Sequence, residues 1–203
     1  MEHRILVGIT GASGSIYAER LIDILKHLVP RIYVVFSDTA RLVVRHELKE
    51  TKDEHFSLYR ASLGQVAEAD REVIRLFKND DLFAPVASGS SAPTAMIVVP
   101  CSMGSLARIA HGVSSNLLER SADVVLKQKR PLIIAPRETP LSSIHLRNML
   151  TLADMGAHIV PTMPAFYQKP EKIEDLIDFM VGRFVEALGF SHDLYTPWNS
   201  RMR

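Results

Sequence analysis

The chain has 203 residues, 47% of them hydrophobic, and a formal net charge of +1 from 24 Lys and Arg against 23 Asp and Glu. That length suits one globular domain with a full core, and the charge balance gives no reason to expect nucleic acid or an anionic membrane as the main partner. A lone cysteine, Cys101, excludes an intrachain disulfide. No apolar run is long enough for a bilayer, and the opening MEHRILVGITGASG lacks the apolar stretch of a secretory signal. The expectation is therefore a cytoplasmic protein, one domain over 1–203 with a tail at 190–203.

Taken in order, Arg4 to Ile9 (RILVGI) is a β-branched run ending at glycines and predicts a buried strand. Ser13 to His27 predicts a helix, with Ile16, Leu21, Ile24, Leu25 and Leu28 at helical spacing. Arg31 to Phe36 predicts a second strand, and Ser37 or Asp38 can cap the helix that follows through Leu42 and Val43. Glu72 to Phe77 is a further strand candidate, and Leu82 to Pro93 a loop. Ala95 to Val99 is a strand running into Pro100, Cys101 and Ser102. Helices are expected at Leu106–Ala110, Asn116–Gln128, about Ser143–Met155 and Glu171–Leu188, the last with Ile173, Leu176, Phe179, Met180 and Phe184 on one side. Strands are expected at Leu132–Ala135 and His158–Val160. Alternating strands and helices imply an α/β fold: a doubly wound, mostly parallel sheet flanked by helices.

In such sheets ligands bind beyond the carboxyl ends of the strands. The segments there are Gly11–Ser15, Ser37–Thr39, Ser102–Ser105 and Arg137–Thr139. Three are rich in Gly, Ser or Thr, which lets backbone N–H groups approach a phosphate at a helix N-terminus. The first, T-G-A-S-G-S, is neither G-x-G-x-x-G nor a P-loop, so it points to a mononucleotide or to nothing more than a tight turn. Arg137 and Glu138 directly after a strand are unlike core, although a surface pair reads the same way. Arg120, Asp123 and Lys127 share a helix face that would ordinarily be solvated, while Leu117, Leu118, Ala122 and Val125 can pack. Asp80–Asp81 is the sole adjacent pair of aspartates, and the eight histidines have no metal-ligand spacing, so no metal is expected. Cys101 reads as a small buried residue.

The blocks GITGASGSIYAERL, ASGSSAPTAMIVVPCSMGSLARIAHG and SADVVLKQKRPLIIAPRE, with PAFY, cover nearly the whole chain in order and resemble the UbiX family of flavin prenyltransferases. The resemblance implies a Rossmann-like flavoprotein fold and transfer of a dimethylallyl group from dimethylallyl monophosphate to N5 and C6 of reduced FMN. It implies delivery of the prenylated flavin to a UbiD-type decarboxylase, and a homo-oligomer, a dodecamer built from trimers. An older decarboxylase label for such proteins would be no surprise. It assigns FMN contacts to Gly11, Ala12, Ser13, Ser37, Ser102, Met103, Gly104, Ser105 and Arg137. The prenyl phosphate falls to Tyr167 and Arg183, with Ser88, Arg120, Lys127 and Glu138 lining that pocket, some across a subunit boundary. Glu47 matches an acidic residue near the flavin, and Trp198 an aromatic at the pocket mouth.

These residue types suit the chemistry. Cations and a hydroxyl stabilise a departing phosphate. Glu138 could relay a proton or hold those cations, and Ser13 and Glu47 could handle the proton lost from the flavin. Two other readings stand beside this one. A cysteine decarboxylase of the FMN-dependent group would carry P-A-S-A-N-T where this chain has P-C-S-M-G-S. A flavin carrier would have no reason to keep Arg137, Glu138, Tyr167 and Arg183 together.

Overall fold

The computed structural model describes residues 3–48 and 56–198. Residues 199–203 of the expected tail lie outside them. Six parallel strands, β1 (Arg4–Ile9), β2 (Arg31–Phe36), β3 (Ile74–Phe77), β4 (Ala95–Cys101), β5 (Leu132–Pro136) and β6 (His158–Ile159), form one sheet in the order β3-β2-β1-β4-β5-β6. The sheet is wholly parallel, firmer than the expected mostly parallel one.

The helices are α1 (Ser15–Leu25), α2 (Asp38–Glu47), α3 (Leu58–Ser62), α4 (Met103–Ala110), α5 (Leu117–Lys127), α6 (Ser143–Asp154) and α7 (Ile173–Ala187). Side chains alternate along each strand, so the sheet builds two cores. Ile5, Val7 and Ile9 of β1 pack with α1, α2, α3 and α7; Leu6 packs with α4, α5 and α6. The change of side follows from strand order: the chain moves outward from β1 to β3, crosses back, then moves outward the other way from β4. Right-handed crossovers put the two sets of helices on opposite faces and open a crevice at the carboxyl ends of β1 and β4. The last helix, α7, returns to the first face. Arg20 of α1 grips Asp178 of α7 through two hydrogen bonds, at 2.7 and 3.1 Å. Phe184 of α7 is fully buried, contributing about 1.5–3 kcal/mol as such side chains do.

Two expected core positions fail. Leu28 lies beyond the end of α1 and is exposed, and Ile173 begins α7 before that helix reaches the core. Ala18 and Ile22, and Ile177 and Val181, occupy the buried stripes instead.

Candidate functional site

The turn after β1 bends at Gly14, whose φ of 107° is left-handed and suits a residue without a Cβ. Its N–H and that of Ser15 open α1, and both donate to the carboxylate of Glu47, to Oε2 at 3.0 and 2.9 Å. Glu47 is the last residue of α2, so a side chain from the end of one helix caps the positive end of an earlier one, α1. Burial alone would raise the pKa of Glu47, but hydrogen bonds from Ser13, Ser15 and Gly14 outweigh it and hold the carboxyl below its usual value. Its stabilising effect is thus complete above the ordinary glutamate pKa and is lost as pH falls through the depressed value. A Glu47→Gln variant is expected to be less stable than the parent at pH 7, with the gap in urea midpoint closing as the pH falls below about 4.3.

Gly11 approaches the neighbouring helix rather than open space. A Cβ there would lie 2.5 Å from Cγ2 of Thr39, in the first turn of α2. Bulk at this position therefore displaces α2 as well as any ligand. Ala12 is buried and Ser13 exposed, and the Ser13 carbonyl accepts from Nε of Arg137 at 3.2 Å, which brings the segment after β5 across to the segment after β1.

Ser37 and Ser102 are N-caps. Ser37 Oγ accepts from the Ala40 N–H at 3.2 Å and Ser102 Oγ from the Ser105 N–H at 3.4 Å. Met103 turns its side chain into the second core, so only its backbone is available, whereas Gly104 is exposed beside it. Ser105 is buried. A residue that sequence reasoning missed, Thr10, ties the crevice together: its hydroxyl donates to the Pro100 carbonyl at 2.8 Å and accepts from the Ser102 N–H at 2.7 Å. A threonine directly before the glycine turn was the available signal. Next to this group, a cleft of about 730 Å³ opens past β2 and β3, lined by Asp38, Arg41, Phe77 and Lys78 among others.

The donors gathered here are of the kinds a phosphorylated flavin needs: the first turns of α2 and α4, two serine hydroxyls and one guanidinium. Since the amides of α1 serve Glu47, the phosphate would fall to the turns at Ser37 and Ser102 and to Arg137. Cys101 is fully buried, which pushes its thiol up to about 12 and keeps it inert. No cluster placed to hold a metal ion occurs among the described residues.

The residues expected at the prenyl phosphate divide into two sets. Tyr167 stands edge-on to Phe179 and Trp198, with centroids 5.7 and 4.9 Å away. Arg183, on α7, pairs with Glu186, which also accepts from the Tyr195 hydroxyl at 2.6 Å. On the other side of the sheet, Arg120 of α5 donates to the Ala87 carbonyl at 3.2 Å, next to Ser88, and to Asp123 at 3.0 Å. Lys127 ends α5 and is exposed. Glu138 is exposed beside Arg137 and accepts from the Thr139 N–H at 3.1 Å. One chain thus gathers the residues expected at the flavin but places α5 and α7 on opposite faces.

Residues 1–185 match the family model described as Flavoprotein. The chain is 46% identical to the flavin prenyltransferase UbiX of Halalkalibacterium halodurans over 95% of its length and 91% of the relative's. It is 43% identical to that of Pseudomonas aeruginosa, over 98% and 95%. Among solved structures, AnUbiX in complex with FMN and dimethylallyl pyrophosphate matches with a TM-score of 0.85 at 40% identity, covering 98% of this chain and 99% of that one. A dodecameric FMN-dependent UbiX-like decarboxylase from Escherichia coli O157:H7 matches with a TM-score of 0.85 at 35% identity, over 97% and 100%. The peptidyl-cysteine decarboxylase EpiD shares the fold at 16% identity and a TM-score of 0.60. With full-length identities of this order and the sheet, turns and caps described above, the chain belongs to the UbiX family of flavin prenyltransferases.

Proposed function

We propose that this chain binds FMN at the carboxyl ends of β1, β2, β4 and β5 and transfers a dimethylallyl group from a prenyl phosphate to the reduced flavin. The observation that carries this reading is the gathering of Ser13, Ser37, Glu47, Ser102 and Arg137 around one crevice. The relative that holds FMN and dimethylallyl pyrophosphate shares 40% of the sequence over nearly the whole chain. FMN supplies the electron-rich ring that accepts the prenyl group. Gly11, Ala12 and Ser13 form its turn; Ser37, the segment Ser102, Met103, Gly104 and Ser105, and Arg137 hold its polar end. Ser13 relays the proton released from the ring and Glu47 accepts it, Glu47 being a carboxylate that its hydrogen bonds, one of them from the Ser13 side chain, hold ionised. Tyr167 and Arg183 bind the leaving phosphate, with Ser88, Arg120, Lys127 and Glu138 around it and Trp198 at the mouth, keeping water from the allylic fragment.

The opposite placement of α5 and α7 supports a pocket completed by a second copy. So do Ile144, Leu150, Met163 and Phe166, large apolar side chains each more than 60% exposed. The assembly proposed is a homo-oligomer, a dodecamer of trimers, as the dodecameric relative supports. The whole chain acts as one domain, in the cytoplasm, and passes its product to a UbiD-type decarboxylase. No helix among the described residues is long and apolar enough to cross a membrane.

The test is incubation of the purified protein with reduced FMN and either dimethylallyl monophosphate or the pyrophosphate, followed by mass analysis of the flavin. The expected result is a flavin heavier by one dimethylallyl unit, formed with the monophosphate. Flavin bound tightly but unaltered with both donors would leave a carrier role in its place.

A further inference from the structure

Glu119, in the first turn of α5, is only 1% exposed, yet it bears a carboxylate. It accepts from the Ser115 N–H at 3.2 Å, from the Ser115 hydroxyl at 2.7 Å, and from Nε of Arg108 at the end of α4. Burial would raise its pKa, but the bonds from Arg108, Ser115 and Asn116 prevail and keep it ionised. A buried carboxylate of this kind holds its cation firmly, because losing the partner strands the charge.

The guanidinium is therefore anchored through Nε, and its outer edge points elsewhere. Nη2 donates to Ser105 Oγ at 3.4 Å. Nη1 would lie 3.4 Å from a Cβ on Gly104, so the cation lies along the exposed backbone of the turn assigned to the flavin. Ser102 Oγ donates to the same Ser105 oxygen at 3.2 Å. With two donors arriving at Ser105 Oγ, its own proton is directed to a further acceptor. Anchoring Glu119 requires Nε alone; the reach of Nη1 and Nη2 back over the first turn of α4 has no role in the ion pair.

We infer that Arg108 is a positioning residue for the cofactor: held by Glu119, it fixes Ser105 and adds positive charge behind the N-terminus of α4, so that the Ser102–Ser105 turn receives the phosphate of FMN. The inference rests on the reading of this crevice as the FMN site. It gives the turn a cation of its own, distinct from Arg137, which approaches from β5.

The experiment titrates FMN and riboflavin, which lacks the phosphate, into the full-length apoprotein by flavin fluorescence. Parent, Arg108→Gln, Arg108→Lys and Glu119→Gln are compared. Arg108→Gln is expected to raise the FMN dissociation constant about tenfold, the worth of one charge-assisted contact, with riboflavin affinity at the parent level. Arg108→Lys, which keeps the charge, should restore most of the loss. Glu119→Gln should weaken FMN selectively, since it loosens the guanidinium without removing it. If Arg108→Gln does not fold, the comparison between Arg108→Lys and Glu119→Gln decides the matter by the same selectivity. Equal weakening of FMN and riboflavin, or no change in either, overturns the inference. A parent protein that binds no FMN would instead overturn the assignment of the site.

Discussion

Replacing Arg183 by Ala is expected to leave FMN affinity at the parent level and to slow formation of prenylated flavin by about ten- to a hundredfold or more. Arg183 stands on the exposed side of α7, pairs with Glu186, and is held protonated chiefly by its contact with Tyr195, partly offset by burial. An exposed ion pair at i, i+3 is worth about 0–1 kcal/mol, so the fold loses little when it goes. A hydrogen bond from that guanidinium to a leaving phosphate is worth roughly 1.5–3 kcal/mol, and it strengthens as charge gathers on the oxygens. Tyr167→Phe keeps the ring against Phe179 and Trp198 and removes only the hydroxyl, so the same pattern is expected of it. The measurements are an FMN titration and a timed assay of prenylated flavin for each variant. A parent rate in either, or a failure traced to lost FMN, removes that residue from the phosphate site.

Gly182 carries the second large effect. A Cβ at this position of α7 would lie 2.5 Å from the Tyr195 ring and 2.7 Å from the His192 ring, so the segment after α7 lies directly on the helix backbone. That segment continues to Trp198, which leans on Tyr167. In an ordinary helix, replacing Gly gains up to about 1 kcal/mol of propensity. Here overpacking costs about 1–3 kcal/mol, and the rings must leave. Gly182→Val is therefore expected to keep the sheet and FMN binding, to part the already exposed Trp198 from the Tyr167 ring so that the emission of this single tryptophan changes, and to lower prenylation about tenfold. Parent-like emission and rate together would show that the docked tail has no part in the site.

Much of the fold was legible because periodicity reports burial. RILVGI and RIYVVF lie in the middle of a parallel sheet and read as unbroken apolar runs, and both strands fall at the expected residues. The five-residue α3 escaped notice, being too short to show a period. The side-chain direction of Met103 was equally hidden: its turn was found, but whether a residue offers its backbone or its side chain depends on the phase of the helix against the sheet. Glu47 was placed near the flavin by resemblance, yet its grip on the amides of Gly14 and Ser15 spans more than thirty residues, and no local pattern encodes such a pairing. The same holds for Arg108 and Glu119, which the sequence does not single out and whose pairing shows only once the carboxylate is seen to be buried.

The separation of α5 from α7 by the sheet has a kinetic meaning. If Arg120 and Lys127 meet Arg183 only between chains, flavin uptake belongs to the protomer and group transfer to the assembly. Dilution would then silence catalysis while the yellow cofactor stays bound, and the rate per chain would climb with protein concentration until every subunit has its neighbours.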